Sequence, residues 1–260
     1  MNLSLKKNPL KGKLSQNQQT IGSWVTMAHP LIPELLSHGG FDWLCVDMEH
    51  SSIDLGDLLG MIISIEASGM VPLVRVGEND SNLIKRVMDA GAYGVIVANI
   101  NSAEEAQRAV DAVKYPPLGR RGVGLYRAQG YGKNFESYKR WLAKESVVII
   151  QIEHKDAIKD IDAIFSVKGV DAFMIGPYDL SGSMGKPGHY DDPRVKKAID
   201  TILKVGKRKG LPCGFHSVPF DAKALQQRIK QGFKFLAFSS DTIILSSAVG
   251  QIKNVITRKS

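Results

Sequence analysis

The sequence predicts an α/β fold of one domain, the (β/α)8 or TIM barrel, on three observations. Short β-like runs rich in Val, Ile and Phe alternate with amphipathic stretches of period 3.6 along the chain. The runs number eight, and 260 residues is the length that eight βα units occupy. Runs such as VVIIQI are almost continuously apolar, as parallel strands are when helices cover the sheet.

Taken in order, Met1 to Gln19 is rich in Lys, Asn and Gln and reads as an N-terminal extension, with residues 20–260 as the barrel. The strands are predicted at Ile21–Met27, Phe41–Glu49, Val71–Gly77, Tyr93–Ile100, Val147–His154, Asp171–Pro177, Leu211–Ser217 and Phe233–Ser240, each a short apolar run. Helical periodicity falls between them at Pro33–Ser37, Leu55–Ala67, Ser81–Ala90, Ala103–Val113, Lys155–Phe165, Pro193–Lys209 and Asp221–Gln231, and after the last at Thr242–Val255. The segment from Lys114 to Ser146 breaks the rhythm. With Pro116, Pro117, Gly119, Gly122, Gly124, Gly130 and Gly132 it reads as a long functional connection or lid, expected to border the active site. A doubly wound open sheet is the rival architecture, but no Gly-x-Gly-x-x-Gly follows the first strand.

Bulk properties exclude several functional classes. No apolar run approaches the ~18 residues of a membrane span, and the N-terminus has no secretory signal pattern, so a cytoplasmic protein without a membrane partner is expected. Cys45 and Cys213 lie in apolar β-like segments and read as reduced core thiols, which leaves no disulfide framework or cysteine zinc cluster. The net charge of +8 raises the question of nucleic acid. Its excess, however, lies in the tails (Lys6, Lys7, Lys11, Lys13, Lys253, Arg258, Lys259) and on helix faces at Lys204, Lys207, Arg208 and Lys209, without interleaved aromatics. A solvated cationic surface with no nucleic-acid partner is the reading.

In such a barrel the reacting groups sit at the C-terminal ends of the strands. Those ends carry Asp47, Glu49 and His50; Arg75; Gln151, Glu153 and His154; and Asp179. Charges inside apolar strands cost several kcal/mol each unless paired or bound to a metal, so their gathering at one end asks for a functional reason. Gln151 and Glu153 are two apart on one strand and share a face, and Asp179 approaches from the next strand end. Two carboxylates with room for water suit a hard divalent ion such as Mg2+ or Mn2+, while a salt bridge from Glu153 to a barrel arginine accounts for the spacing equally well. His50 is a candidate general base or a satisfied structural histidine. Arg75 is fit to stabilise a developing oxyanion or to pair with Asp47 or Glu49, and the two roles are compatible. None of the strand ends carries the lysine that a Schiff-base aldolase needs, so enolate stabilisation falls to a metal. HSVPF and FSSDT lack the glycines of a phosphate loop, which disfavours a phosphorylated substrate.

These residues, in this order, resemble the metal-dependent pyruvate aldolases of the HpcH/HpaI family. The resemblance runs from about Gly22 to Val249 through GSW (Gly22 to Trp24), FDWLCVDMEH (Phe41 to His50), VRVGEND (Val74 to Asp80), YPPLGRRGVG (Tyr115 to Gly124), QIE (Gln151 to Glu153) and GPYDLSGSMG (Gly176 to Gly185). It implies that Glu153 and Asp179 hold a divalent ion (Mg2+, Mn2+ or Co2+) that also chelates pyruvate. It further implies that His50 is the base, that Asp89 raises its basicity and that Arg75 stabilises transition-state charge. Gln151 and the Tyr178–Asp179 backbone would bind pyruvate, and the enzyme would be a homo-oligomer, hexameric in the family, with sites near subunit contacts. Tyr178 stands where alanine is common in such motifs, LYRAQGYG (Leu125 to Gly132) departs from the pattern, and His216 replaces an apolar residue. His216 is placed either to hydrogen-bond the aldehyde or to bond within its own loop. The expected activity is formation or cleavage of 2-keto-4-hydroxy acids from pyruvate and an aldehyde through a metal-bound pyruvate enolate. A citramalyl-CoA-type lyase or oxaloacetate decarboxylase is the enzymatic alternative, and a basic binding protein on the same scaffold the non-enzymatic one.

Overall fold

The computed structural model describes residues 7–256. Lys6, Arg258 and Lys259, and the side chain of Lys253, lie outside what it describes. Eight parallel strands close in chain order into a barrel: β1 Thr20–Val25, β2 Trp43–Asp47, β3 Val71–Val76, β4 Gly94–Val97, β5 Val147–Ile152, β6 Ala172–Ile175, β7 Cys213–Ser217 and β8 Phe235–Ser240, with β8 returning to β1. Every predicted strand is present, and each is shorter than or as long as its apolar run, because the run continues into the loops. The helices are α1 Pro9–Ser15, α2 Leu31–Ser37, α3 Leu55–Ala67, α4 Ser81–Ala90, α5 Ala103–Val113, α6 Phe135–Glu145, α7 Ala157–Ile164, α8 Pro177–Ser183, α9 Pro193–Lys209, α10 Ala222–Lys230 and α11 Asp241–Ile256. Among the described residues no helix is long and apolar enough to cross a membrane.

Two apolar layers hold the barrel. One lies between sheet and helices and is fed by both partners, for example Val46, Val74, Val95 and Ile150 against Leu58, Ile84 and Ala109. The other fills the interior with alternate residues of the strands, including Trp43, Cys45, Leu73, Ile96, Ile149, Met174 and Phe235. Trp43 and Phe235 stack across it with centroids 4.2 Å apart. Gly22 makes that possible, since a Cβ there would fall 2.1 Å from the Trp43 ring.

The N-terminal extension contributes to this interior. Asn8 caps α1, and Leu10 and Leu14, 1% and 2% exposed, project into the barrel from its N-terminal end. The helix is tied down by Asn8, whose backbone and side-chain amides donate to Glu145, by Lys11 paired with Asp171, and by Lys13 paired with Asp42 at 2.5 Å. Lys11 and Lys13, read from the sequence as solvated tail charges, are therefore bound.

Two further expectations are corrected. The segment from Lys114 to Ser146 joins α5 to β5, so it crosses the N-terminal end of the barrel, opposite the mouth where a lid would have to sit. It contains a 3-10 turn at Arg127–Gln129 and α6, and its contacts are with helices: Arg121 with Asp89, and Arg127 with Glu66 and the Ala90 carbonyl. The predicted sixth strand ends at Ile175, because Pro177 opens a helix at its first position, where proline needs no amide hydrogen bond.

If α1 is a barrel plug, Leu14→Ala should lower unfolding stability by about 2–5 kcal/mol. Urea denaturation followed by circular dichroism measures this. A loss below half a kcal/mol would mean that α1 merely rests on the barrel.

Candidate active site

The C-terminal mouth is built from the residues that continue the interior alternation upward. At the upper end of β5, Gln151 and, one residue past the strand, Glu153 are buried, 6% and 7% exposed. Gln151 Nε2 donates to Glu153 Oε2 at 2.5 Å and the Asn99 amide donates to Glu153 Oε1 at 2.7 Å. Asn99 can do so because its φ of 53° turns the chain after β4 into the left-handed region, which Asn tolerates better than most residues. Gly176 leaves the space that Glu153 fills: a Cβ there would lie 2.6 Å from Glu153 Oε2. Burial pushes the Glu153 carboxyl up, and the charges of Glu49 and Asp179 push it further, against the two hydrogen bonds. Asp179 stands exposed in the first turn of α8.

Among the described residues Glu153 forms no ion pair, so the salt bridge left open by its spacing is not made. The side chains fit a hard cation. The donors are carboxylate oxygens, the charges of Glu49 and Asp179 add to burial in raising the proton affinity of Glu153, and a divalent ion would relieve that repulsion. No group of three or more His, Cys, Asp and Glu in a metal-holding arrangement is found among the described residues. The protein would thus supply few ligands and leave the remaining positions to water and substrate, the usual manner for Mg2+.

Opposite, β2 and β3 place Asp47 beside Arg75 in register. Arg75 grips Asp47 through both arms of its fork, Nε to Oδ1 at 2.9 Å and Nη2 to Oδ2 at 2.6 Å, and reaches Glu49 Oε2 with Nη1 at 3.2 Å. Its guanidinium lies over Trp24, 4.3 Å from the ring centroid. Burial would raise the Asp47 carboxyl, but the hydrogen bonds and charge of Arg75 and the amides of His50 and Glu49 hold it below its ordinary value. Glu49 goes the other way, pushed up by burial and by Asp47 and Asp179 despite Arg75 and His50. His50 stands at the rim, its side chain 69% exposed and Nε2 3.9 Å from Glu49 Oε2.

His216 completes the ring from β7. Nε2 is 3.1 Å from the Ser239 carbonyl and the imidazole meets the edge of Trp24 at 5.7 Å. Burial, aided by the Arg75 charge, pulls its pKa down to about 4, so the ring is neutral. Trp24 Nε1 and Ser239 Oγ are buried beside it without a hydrogen-bond partner. Sequence reading used Trp24 as a family marker and passed over Asn99 and Ser239. Trp24, an aromatic on the last turn inward of β1, was detectable by the alternation that found Asp47; the backbone roles of Asn99 and Ser239 leave no such trace.

Two predicted residues stay apart from the mouth. His154 pairs with Asp156 at 3.3 Å on the surface. Asp89 ends α4 at the opposite end of the barrel, where Arg121 holds it at 2.5 Å and stacks on Tyr115 and Tyr138. The chain therefore does not bring its own Asp89 to its own His50.

The neutral His216 makes stability depend on pH. Its folded pKa lies below the unfolded ~6.5, so between these values only the unfolded chain takes up the proton and stability falls as pH falls. Relative to His216→Gln, the wild type should lose about 2–3 kcal/mol between pH 7 and pH 4. Parallel urea curves for both proteins measure the gap, and a gap that does not change with pH would show that the ring is not held neutral.

Comparison with known proteins agrees with this architecture. The HpcH/HpaI aldolase/citrate lyase family model matches residues 20–248. A protein named 5-keto-4-deoxy-D-glucarate aldolase from Citrobacter koseri is 33% identical over 252 residues, 96% of this chain and 97% of its own. The protein of the same name from Salmonella paratyphi A is 36% identical over 242 residues, 93% of each chain. The crystal structure of an HpcH/HpaI aldolase/citrate lyase family protein from Burkholderia cenocepacia J2315 is 30% identical, with a TM-score of 0.90 over 96% of this chain and 100% of that one. An eight-stranded barrel whose mouth gathers Asp47, Arg75, Gln151 and Glu153, matched over nearly its whole length, thus belongs to the HpcH/HpaI aldolase/citrate lyase family.

Proposed function

We propose that the protein is a carbon–carbon lyase that cleaves a 2-keto-4-hydroxy acid to pyruvate and an aldehyde, and runs the reverse addition. The observation that carries this reading is Glu153, a buried carboxylate held by a neutral amide and a backbone N–H and paired with no Lys or Arg side chain among the described residues. Glu153 and Asp179 would hold the divalent ion. Bound there, Mg2+, Mn2+ or Co2+ supplies Lewis acidity toward the keto and carboxylate oxygens of pyruvate.

The chain's own residues then divide the remaining work. Gln151 and the Tyr178–Asp179 backbone orient the pyruvate half. His50, exposed at the rim, takes the proton of the substrate's C4 hydroxyl. The C3–C4 bond breaks, the aldehyde departs, and a proton returned to C3 yields pyruvate. Arg75 faces the changing oxygen charge; its fork is fixed by Asp47 and Trp24, so little reorganisation accompanies the reaction. An Asp89 that raises the basicity of His50 must belong to a neighbouring subunit, which accords with a homo-oligomer, hexameric by family resemblance. The exposed Leu245, Val249, Ile252 and Ile256 on α11 favour such association.

The relatives' name suggests the substrate class. Retro-aldol cleavage of 5-keto-4-deoxy-D-glucarate releases pyruvate and a hydroxylated aldehyde that ends in a carboxylate, an acceptor that can hydrogen-bond to His216, Trp24 and Ser239.

Glu153→Gln and Asp179→Asn should each lower aldol cleavage by at least ~10²-fold and weaken divalent-ion binding, with an unchanged circular dichroism spectrum. EDTA should reproduce the loss in the wild type, and Mg2+, Mn2+ or Co2+ should restore it. His50→Ala should lose rate yet still bind the ion by calorimetry. Full activity after chelation, or loss of the ion from His50→Ala alone, contradicts these roles. On specificity, His216→Leu should shift the preference between a hydroxylated and an apolar aldehyde by about tenfold. An equal loss with both acceptors would make His216 a scaffold residue.

A further inference from the structure

Away from the mouth, β7 is the least covered wall of the barrel. Cys213 and Phe215 face outward and stay partly exposed, whereas every residue of β5 is buried. The helix that should cover them, α10, buries none of its own residues. Between α9, α10 and the outer face of β7 runs a groove of about 940 Å³, within the size range of ligand sites.

The groove is polarised from end to end. Helices run down the barrel as strands run up, so the last turns of α9 and α10 and the residue preceding β8 meet at its N-terminal end. Lys207, Arg228 and Lys234 therefore gather there. Among the described residues none of the three belongs to an ion pair, and no Asp or Glu lines the groove. Arg228 donates only to the neutral Gln231 Oε1, at 2.8 Å, and its Cζ lies 4.1 Å from the Phe215 ring centroid. Its apolar surroundings push its pKa down. The upper run is apolar, walled by Leu203, Ile199, Phe215 and Val218. The five residues of β7, at ~3.3 Å each, give it a length of about 17 Å.

We propose that this groove binds an amphipathic organic anion, a free medium-chain carboxylate whose hydrocarbon lies along Phe215 and Leu203 and whose carboxylate meets Arg228, Lys207 and Lys234. The three cations supply what an anion lacks, and the guanidinium fork matches a carboxylate's two oxygens. The apolar floor selects against small acids such as pyruvate, which offer no surface to bury. The groove reaches His216 and Pro177 at its upper end, but the hydrocarbon lies along Phe215, whose side chain faces the opposite side of β7 from that of His216.

The test is calorimetric titration of the full chain with sodium dodecanoate below its micelle concentration. Saturable one-site binding is expected, undisturbed by pyruvate. Dodecyltrimethylammonium, with the same tail and the opposite charge, should not bind. The double variant Lys207→Glu/Arg228→Glu, which breaks no ion pair and should keep the wild-type melting curve, should weaken dodecanoate by at least about tenfold. Leu203→Trp, which fills the apolar run, should weaken it as well. Absence of binding, equal binding of the cationic analogue, or unaltered affinity in the double variant would overturn the proposal. So would a change in sedimentation of the unliganded double variant, because the groove would then be covered by a second copy of the chain.

Discussion

The fork between Arg75 and Asp47 governs how charge is distributed in the barrel mouth. Both side chains are largely buried, and a lone charge in that setting would cost several kcal/mol, so neither can leave the other. With Nη1 also on Glu49, three of the guanidinium's five N–H donors are engaged on this wall, and among the described residues Arg75 forms no ion pair with Glu153 on β5. Glu153 is consequently a carboxylate among neutral donors, and its proton affinity rises. Two walls of one cavity thus differ in electrostatic character: on one the carboxylates are held by a fixed cation, on the other Glu153 has no cationic side chain paired with it among the described residues. On the proposed reading, that asymmetry would orient a keto acid, its oxygens drawn to the β5 side and its reacting carbon facing the other.

Packing upholds the same asymmetry. The mouth residues are the uppermost layer of an interior filled by alternate strand positions, so their directions are inherited from Trp43, Leu73, Ile149 and Met174 below. Trp24 joins the two systems, since it belongs to the interior layer and also carries the Arg75 guanidinium on its face. Asn99 and Gly176 complete the frame through backbone geometry, one by a left-handed turn and the other by the side chain it lacks.

The barrel itself was plain in the chain because strands buried on both faces and amphipathic helices produce two distinct periodicities, and VVIIQI and SNLIKRVMDA show one each. The mouth was legible for a related reason: Asp47, Arg75, Gln151 and Glu153 are polar residues in runs that burial would otherwise make apolar. What was lost in reading depended on position along the fold rather than on pattern. The segment from Lys114 to Ser146 looks like a lid, and only its place between a helix and the next strand puts it at the far end. Asp89 carries no mark that shows it lies beside Arg121, away from the His50 of its own chain. The helix at Pro9–Ser15 was hidden because only Leu10 and Leu14 mark its buried face, within a stretch rich in Lys, Asn and Gln.

The plug formed by that helix imposes an order on assembly. Lys11 pairs with Asp171, which lies 160 residues later in the sequence. Synthesis proceeds at ~5–20 residues per second, so this anchor appears roughly ten to thirty seconds after the helix it holds. Until then Leu10 and Leu14 have no barrel interior to enter. This helix, made before every strand of the barrel, is therefore among the last of the described elements to reach its place, and for that interval its apolar face is open to whatever binds nascent chains.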